Sequence, residues 1–428
     1  MRTDVRRPGL IVLGASTWEE IVHRFTAVAI GMLLAVTTGG ARADVVTDWN
    51  LTALRLTQAV DAPGGVQARA LAMMHVAMSD AINTVQNRYT RHIATEPLVP
   101  NVSAEAAAAS AARTILVQLL PKQTDAIEQA YTASVKTIPD SPAKTQGVAL
   151  GERIAKAVIA DRATDGASVP DTYRPLTSPG VWVPTTPPIT EQFARARPWV
   201  LKSANQFRPG PPPQLTSAVY ARDYNETKDL GGVQSKARTA EQTDTVRFWR
   251  TPNLGPAWQA AARQFATQKE LSLAESARLF ALLNMATANS FIVDWDAKFT
   301  YNFWRPITAI RNGDQDGNDA TERDAGWSPL APTPMHPEYP SQASISAGVS
   351  LGILEAVLGK NPAGSFTATD IADPKRTRTV GSLAAMAEEH RNVRVWGGIH
   401  FRNSLNVAQG LGSQIADYLV ESTIKPVR

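Results

Sequence analysis

The sequence predicts an all-α protein, organised as a helical bundle with short connections. Apolar residues recur every three to four positions over several long stretches, which is the period of an amphipathic helix. Alanine-rich runs and serine N-cap signals accompany these stretches, whereas a regular alternation of strands with helices is missing from the sequence. The 428 residues are enough for one large domain or two ordinary ones.

Four helices are predicted in the N-terminal part. The first follows a loop at 61–65 and carries apolar residues at helical spacing between 71 and 85, and the other three lie at 103–120, 122–135 and 142–162. Their apolar residues fall on one face, and the second helix is rich in alanine and ends before a proline. His75 lies on or near the apolar face of the first helix. We therefore expect His75 to be a buried structural residue rather than a ligand.

A proline-rich stretch, 168–213, follows these helices and shows little periodicity. Trp182 and Trp199 make it too aromatic for a disordered linker. We interpret it as an ordered, irregular segment that lies over the helices and shapes a channel. The alternative is a boundary between two helical halves.

The C-terminal part begins with a capping box, in which Ser272 and Glu275 start a long helix that runs toward Lys298. Further helices are predicted at 341–358, 380–390 and 400–420. The acidic stretch 314–319 is interpreted as a polar turn, because its glycine is misplaced for a calcium-binding loop. The basic stretch 372–380 is interpreted as a solvated surface loop.

Composition excludes several classes of function. The 43 basic and 39 acidic residues give a net charge of +4, and no basic run is dense enough to indicate nucleic-acid binding. The absence of cysteine excludes disulfides, zinc–thiolate sites and thiol nucleophiles.

The N-terminus has the features of a targeting segment. His23 and Arg24 precede an apolar run, 25–36, and small residues follow it up to Ala43. This pattern predicts a signal peptide at 1–43, cleaved after Ala43, and a periplasmic or secreted protein. The alternative is an uncleaved membrane anchor, although the apolar run is short for a transmembrane helix.

Two segments of the C-terminal part carry residues suited to an oxyanion. Lys298 and Arg305 are seven residues apart, which on one continuous helix places both cations on the same face. Ser341 begins a predicted helix, where its hydroxyl and free N–H groups such as that of Gln342 form an anion cradle. Taken alone, these features also fit two snorkelling surface cations and an ordinary N-cap serine.

A third segment strengthens the prediction of an oxyanion site. Arg394 and His400 are separated by five residues that include Gly397 and Gly398. The two glycines interrupt any continuous helix, so the arginine and histidine side chains can converge across a turn. A single histidine is more often structural, but this one occurs in a chain with two other anion-type segments.

The three segments together resemble the signature of the vanadium-dependent haloperoxidases and type 2 phosphatidic acid phosphatases. The family pattern is K-x6-R-P, P-S-G-H and S-R-x5-H-x3-D, and the chain presents Lys298-x6-Arg305-Pro306, Pro340-Ser341 and Arg394-x5-His400 in that order. The phrases NFWRPITAIRNGDQDGN and HPEYPS are similar to the bacterial haloperoxidase-related branch. The resemblance implies two packed four-helix bundles within 44–428, with the motifs in about 272–420.

The resemblance also implies roles for the site residues. Vanadate, or phosphate in its place, would be bound by the side chains Lys298, Arg305, Ser341 and Arg394 and by the backbone at Gln342. His400 would be the vanadium ligand in a haloperoxidase, or the nucleophile that forms a phosphohistidine in a phosphatase.

The chain departs from the family pattern at three places. Gln342 and Ala343 replace Gly-His, Val393 replaces the serine before the arginine, and Ser404 replaces the aspartate. Ala343 therefore stands where the family has its acid–base histidine. His336, five residues before the serine of the second motif, is a candidate substitute if the turn folds back.

Three functional hypotheses follow. The first is a vanadium-dependent haloperoxidase that oxidises halide with hydrogen peroxide, and the alternative enzyme is an acid phosphatase acting on a phosphate ester. The third is an oxyanion-binding relative whose activity is lost or altered because Ala343 replaces the histidine. The expected partners are these small molecules and a second copy in a homodimer, with neither nucleic acid nor a stable membrane span after cleavage.

Overall fold

The computed structural model describes residues 44–184, 188–249, 254–360, 362, 364–370, 373 and 375–427. Within these residues the chain forms thirteen α-helices and one two-stranded antiparallel hairpin. The predicted all-α fold class is confirmed. The described residues belong to one compact unit.

The helices are α1 Val45–Ala59, α2 Gly64–Gln86, α3 Ala104–Leu119, α4 Thr124–Lys136, α5 Pro142–Arg162, α6 Ala218–Gly231, α7 Ala240–Phe248, α8 Gly255–Gln268, α9 Leu273–Tyr301, α10 Pro306–Arg311, α11 Gln342–Leu358, α12 Leu383–Trp396 and α13 Arg402–Ser422. The strands are β1 Phe366–Thr369 and β2 Thr377–Val380, with Phe366 opposite Val380. Short 3₁₀ helices lie at Pro121–Gln123, Glu191–Arg195 and Gly313–Gln315.

The helices form two groups that meet at α9. Helices α1 to α5 pack on one another in the N-terminal part, and α11 packs against α9, α12 and α13 in the C-terminal part. Helix α9 also packs against α2, and it is buried along most of its 29 residues. A helix that is apolar on nearly all sides belongs in the middle of a core, which explains this central position.

Serine caps and small residues explain the local structure. Ser103 accepts a hydrogen bond from the Ala106 backbone N–H at 3.1 Å, and Ser272 and Glu275 form the predicted capping box of α9. Helices α3 and α5 approach closely at Gly151, where an added Cβ would lie 2.1 Å from the Ala107 carbonyl oxygen. The alanine-rich sequence of α3 therefore serves close helix packing.

Several predicted boundaries differ from the structure. The stretch interpreted as a surface loop, 372–380, contains strand β2, and α12 begins at Leu383 rather than at 380. Helix α9 ends at Tyr301, so Lys298 and Arg305 do not share one helix.

The proline-rich stretch is ordered and irregular where it is described. Val181 pairs with Phe303 in an isolated β-bridge, and the Trp182 N–H donates to the Asn302 carbonyl at 2.8 Å. Ile189 and Thr190 line a cavity beside α9. These contacts agree with the interpretation of a segment that lies over the helices.

The C-terminal residues return to the N-terminal part. The Thr90 N–H donates to the Lys425 carbonyl at 2.8 Å, the Val427 N–H donates to the Arg88 carbonyl at 3.0 Å, and Tyr89 pairs with Pro426. This pairing joins the C-terminal end of the described chain to the segment 88–90, which follows α2.

The predicted signal peptide, 1–43, lies outside the described residues. Among the helices that are described, none combines the length and the apolar character needed to cross a membrane.

His75 is fully buried in the core, as predicted. Its ring stacks on Phe280 with 5.3 Å between centroids, and its Nε2 lies 3.0 Å from the Asn50 side-chain nitrogen, so Nε2 accepts the hydrogen bond. Burial lowers the pKa of His75 from 6.5 to about 3, and nearby Arg263 lowers it further. The imidazole is therefore neutral in the folded protein at neutral pH.

This burial makes stability depend on pH. The folded state binds fewer protons at His75 than the unfolded state between the two pKa values, so the free energy of unfolding falls as pH falls below 6.5. Between about pH 6 and pH 4, the free energy of unfolding of wild type should fall by up to about 1.4 kcal/mol per pH unit more than that of His75→Gln. Urea unfolding at each pH measures both slopes. Equal slopes in wild type and His75→Gln would contradict the prediction.

Candidate active site

Lys298 and Arg305 reach the same centre from two elements. Asn302 adopts the left-handed conformation, with φ 48°, and ends α9 after Tyr301. Arg305 has an extended backbone and is the N-cap of α10, because the residue before Pro306 is driven out of the α region. The prediction that Lys298 and Arg305 share one helix face is therefore wrong. Their side chains nevertheless converge on the segment 336–341.

Lys298 is completely buried and supports the turn before α11. Its Nζ donates to the carbonyls of Pro337 and Glu338, at 2.9 and 3.0 Å, and to that of Pro340. These contacts use all three N–H groups of the ammonium, so Lys298 acts on the centre mainly through its charge. Burial lowers the pKa of Lys298 to about 8, and the Asp294 carboxylate at 3.7 Å opposes this effect.

Arg305 lies between two histidines. Its Nη1 is 3.1 Å from His400 Nε2, and its Nη2 is 3.1 Å from His336 Nδ1. A guanidinium can only donate, so both imidazole nitrogens act as acceptors. The same side chain also donates to the carbonyls of His336 and Ile399, at 2.9 and 2.8 Å, and thereby connects the second and third motif segments.

Glu338 holds the other side of the His400 ring. His400 Nδ1 lies 2.7 Å from Glu338 Oε1, which also accepts from the Phe401 N–H at 3.0 Å. Since Nε2 accepts from Arg305, the proton of the neutral ring is on Nδ1 and Nε2 keeps its lone pair. Burial, followed by nearby Arg305, holds the pKa of His400 well below 6.5. A neutral imidazole with an unprotonated Nε2 suits a metal ligand or a nucleophile once the contact with Arg305 is released.

Sequence reasoning missed Glu338. The carboxyl is fully buried, and burial raises its pKa to about 7 against the opposing effect of Arg305. Its position in HPEYPS, two residues after His336, was the available signal. Ser404, at the position of the aspartate in the family pattern, lies on α13 and offers no carboxylate.

Ser341 is placed at the start of α11 but does not cap it. Its side chain accepts no hydrogen bond from the helix, and its hydroxyl is buried without a partner. The Ser344 hydroxyl, one turn into the helix, is also buried without a partner. Buried hydroxyls are normally hydrogen-bonded, so these two groups indicate a missing acceptor or donor at this helix N-terminus.

Gln342 and Arg394 line a cavity beside this centre. The Gln342 amide donates to Ser346 Oγ at 2.6 Å. Arg394 is buried in the last turn of α12; burial lowers its pKa to about 10, and nearby Arg305 lowers it further. The structure thus brings the predicted site residues Lys298, Arg305, Ser341, Gln342, Arg394 and His400 into one region.

The turn after Arg394 depends on glycine. Gly398 has φ +75°, and a Cβ there would lie 2.5 Å from the Gly231 carbonyl oxygen. The predicted interruption between the arginine and the histidine is confirmed, since α12 ends at Trp396. The backbone then crosses close to α6 before it reaches His400.

His336 occupies the side of the centre that faces the cavity, and part of its surface is exposed there. Its ring lies 4.9 Å from the Trp295 ring, measured between centroids. Burial, Arg305 and Lys298 hold the pKa of His336 well below 6.5. The turn therefore folds back as the substitution hypothesis requires, while Ala343 offers only a methyl group in the first turn of α11.

The charges and donors fit a bound oxyanion. Three cations, Lys298, Arg305 and Arg394, are buried together. Burial raises the pKa of both nearby carboxyls, Asp294 and Glu338, to about 7, so they neutralise these cations only in part. An anion would supply the remaining compensation and an acceptor for the Ser341 hydroxyl. Among the described residues, no cluster of histidines and carboxylates suited to a metal cation is present.

Comparisons with known proteins agree with the helical fold. Residues 278–428 match the family described as the VCPO second helical-bundle domain. A bacterial vanadium-dependent iodoperoxidase structure is similar with a TM-score of 0.77 and 23% identity, covering 90% of this chain and 97% of that one.

A holo-type bacterial vanadium-dependent chloroperoxidase has a TM-score of 0.70 and 18% identity, covering 83% of this chain and 91% of that one. Its apo-type counterpart has a TM-score of 0.68 and 17% identity, covering 83% and 92%. Comparison with curated proteins by sequence gives no match. The chain therefore has the fold of these vanadium-dependent haloperoxidases, and its residues 278–428 match the VCPO second helical-bundle domain.

Proposed function

We propose that this chain is a vanadium-dependent haloperoxidase, which binds vanadate and oxidises halide with hydrogen peroxide. The observation that carries the proposal is the neutral ring of His400, which lies near three buried cations. Glu338 accepts the Nδ1 proton and thereby selects the tautomer in which Nε2 carries the lone pair. The similar solved structures, which are iodo- and chloroperoxidases, favour this activity over ester hydrolysis.

The oxyanion would be held by charge and by donors from several elements. Lys298, Arg305 and Arg394 would neutralise its negative oxygens, with arginine forks suited to tetrahedral and planar oxyanion geometry. Ser341 and the N–H groups at the start of α11, such as that of Gln342, would donate the shorter contacts. Arg305 would have to give up its contact with His400 Nε2, because that lone pair is the ligand position.

Bound vanadate would supply activation of peroxide toward attack by halide. The protein would contribute Nε2 of His400 as the ligand, and Glu338 would fix the orientation and tautomer of the ring. His336 would handle protons at the side of the cavity: its Nδ1 accepts from Arg305, which leaves the proton on Nε2. We infer that His336 takes the acid–base role that Ala343 cannot fill.

We also infer export from the cell, since the segment 1–43 has the pattern of a cleaved signal peptide. An exported enzyme would meet peroxide and halide outside the cytoplasm. Detection of a mature N-terminus at Asp44 in the secreted or periplasmic fraction tests this inference.

The decisive experiment compares wild type with His400→Ala. Wild type should bind vanadate in calorimetry and then oxidise iodide, the most easily oxidised of the common halides, in a peroxide- and vanadate-dependent manner. His400→Ala should bind vanadate more weakly and lose turnover, because the nitrogen that would bind it is gone. A phosphate-ester assay runs in parallel on vanadate-free protein.

Each outcome selects one hypothesis. Ester hydrolysis that vanadate inhibits, without halide oxidation, would establish the phosphatase instead. Vanadate binding without either activity would identify an oxyanion-binding relative that has lost turnover. Failure to bind vanadate or phosphate would overturn the site assignment itself.

Ser341→Ala separates anion binding from helix capping. The Ser341 hydroxyl has no partner to lose, so this variant should unfold at the wild-type urea concentration or above. Hydrogen bonds to charged groups contribute about 1.5–3 kcal/mol, so its vanadate affinity should fall about ten- to hundredfold. Ser103→Ala, which removes a real cap, should instead lose about 1 kcal/mol of stability and keep its vanadate affinity. Unchanged affinity in Ser341→Ala would exclude its hydroxyl from the site.

His336→Gln tests the substitute acid–base role. Turnover should fall by roughly 10²–10⁴-fold, while the dissociation constant for vanadate stays within a few-fold of wild type. His92→Gln is the control, because His92 lies outside the site and contacts Thr423. Wild-type turnover in His336→Gln would show that the reaction proceeds without an acid–base histidine at this position.

A further inference from the structure

We propose that Met335 is a modification site, whose thioether is oxidised to the sulfoxide by hypohalous acid that the protein itself releases. Hypohalous acid is the two-electron oxidation product of halide, so the source of the oxidant rests on the proposed haloperoxidase activity. The accessibility of the thioether is a property of the chain and can be measured without vanadate. Oxidation at Met335 would spare the aromatic residues that lie beside it.

Met335 differs from the other described methionines in its exposure. Its exposed fraction is 39%. The exposed fraction is 1% or less for the remaining methionines of the described residues, which are Met73, Met74, Met78, Met285 and Met386. The chain has no cysteine, so no thiol competes for an oxidant. Within the part of the chain that the structure describes, Met335 therefore carries the sulfur atom that a dissolved oxidant reaches first.

Met335 also lies on the open side of the proposed oxyanion site. It lines the cavity of about 410 Å³ together with His336 and Arg394. A second void, which Glu338 lines, measures only about 10 Å³, and about 10–15 Å³ is needed to hold a single water molecule. A hypohalous acid formed at the site would therefore leave through the larger cavity and meet the Met335 side chain there.

An aromatic wall beside Met335 is the alternative target of the same oxidant. Trp295 lines the cavity, and its ring centroid is 4.9 Å from that of His336. The Trp295 indole N–H donates to the Ile189 carbonyl at 3.0 Å, and the Ile189 N–H donates to the Met335 carbonyl at 3.2 Å. These two hydrogen bonds connect the Met335 backbone to the Trp295 ring through Ile189. An oxidant in the cavity therefore meets a thioether and an indole together.

The thioether should react before the indole. Thioether sulfur is soft and polarisable, and it is more nucleophilic toward an electrophilic halogen than an indole carbon. It is also the more exposed of the two groups, since Trp295 has an exposed fraction of only 3%. Methionine sulfoxide is reduced back to methionine by dedicated reductases, whereas an oxidised indole is not restored. Met335 thus directs the oxidation to a side chain that can be repaired.

The oxidation balances with the product of the proposed activity. The sulfur lone pair attacks the halogen of the hypohalous acid, so that a sulfur–halogen bond forms, the oxygen–halogen bond breaks and hydroxide leaves. A water molecule then attacks the sulfur, and halide departs with the bonding electron pair. The two protons lost from that water include one that neutralises the hydroxide. Sulfur is oxidised by two electrons, the halogen is reduced to halide, and one proton is released overall.

The test compares wild type with Met335→Leu, a change that nearly conserves volume and keeps the wall apolar. Met386→Leu is the matched control, because Met386 is fully buried on α12 and does not line the cavity. In the first measurement, vanadate-free protein receives one equivalent of hypobromous acid, and peptide mass spectrometry locates the added oxygen. In wild type and Met386→Leu, Met335 should carry at least about tenfold more added oxygen than any buried methionine, since a buried thioether reacts only when the fold opens locally.

The second measurement generates the oxidant at the site, with vanadate, peroxide and the halide that wild type oxidises. Excess methionine dissolved in the buffer should abolish oxidation by added hypobromous acid but leave oxidation of Met335 during turnover, because the oxidant meets Met335 before it reaches the buffer. Oxidation of Trp295 should follow a lag in wild type and Met386→Leu, and it should start without a lag in Met335→Leu. Peroxide without halide should leave Met335 unmodified over the same time.

Each result bears on a separate part of the inference. Preference of added hypobromous acid for another methionine, or turnover that leaves Met335 unmodified, would overturn the modification site even if halide oxidation is intact. Full protection of Met335 by dissolved methionine during turnover, or equal oxidation by peroxide alone, would overturn capture of the protein's own product. Selective oxidation of Met335 by added hypobromous acid in a protein without halide oxidation would support the exposed thioether and sink the proposed haloperoxidase instead.

Discussion

The burial of three cations around a neutral histidine is the constraint on which the rest of the site depends. Lys298, Arg305 and Arg394 lose their hydration, and the protein must return hydrogen bonds and negative charge to each. Many of these hydrogen bonds come from the backbone of 336–341, whose carbonyls accept from Lys298 and Arg305. This explains why an irregular segment rather than a helix precedes α11, since a helix would use its carbonyls internally.

The same segment provides a histidine and a carboxylate, the two side-chain types that are absent at the corresponding motif positions. Ala343 and Ser404 stand where the family pattern has a histidine and an aspartate, while His336 and Glu338 bring an imidazole and a carboxylate to the centre. Because both come from one segment, their geometry is coupled through Arg305. A change that moves this segment would alter charge compensation, the tautomer of the neighbouring ring and the cavity wall together.

Local signals predicted most of the helices, since periodicity and caps act within a few residues, as at Ser103 and in the box of Ser272 and Glu275. Pro306 disfavours a helical conformation at Arg305, but the seven-residue spacing of Lys298 and Arg305 equally fits one continuous helix, so local pattern alone does not locate the break. Strand β2 was missed because its mostly exposed, basic sequence resembles a surface loop.

Site residues could be predicted from the sequence only where they belong to a family motif. The convergence of Lys298, Arg305, Ser341, Gln342, Arg394 and His400 could be expected from the family pattern. Glu338 could not, because its contact with His400 spans 62 residues and no local rule pairs the two side chains. Long-range pairing of this kind is decided by the tertiary fold, which periodicity does not encode.

The pairing of residues 425–427 with 88–90 has a consequence for biosynthesis. One of its hydrogen bonds spans 335 positions along the chain, from the Lys425 N–H to the Thr90 hydroxyl. Such non-local contacts form late in folding, because closing a long loop costs conformational entropy that only the completed contacts offset. The N-terminal helices can gather while the ribosome is still translating, but their edge at 88–90 stays uncovered until residue 427 has emerged.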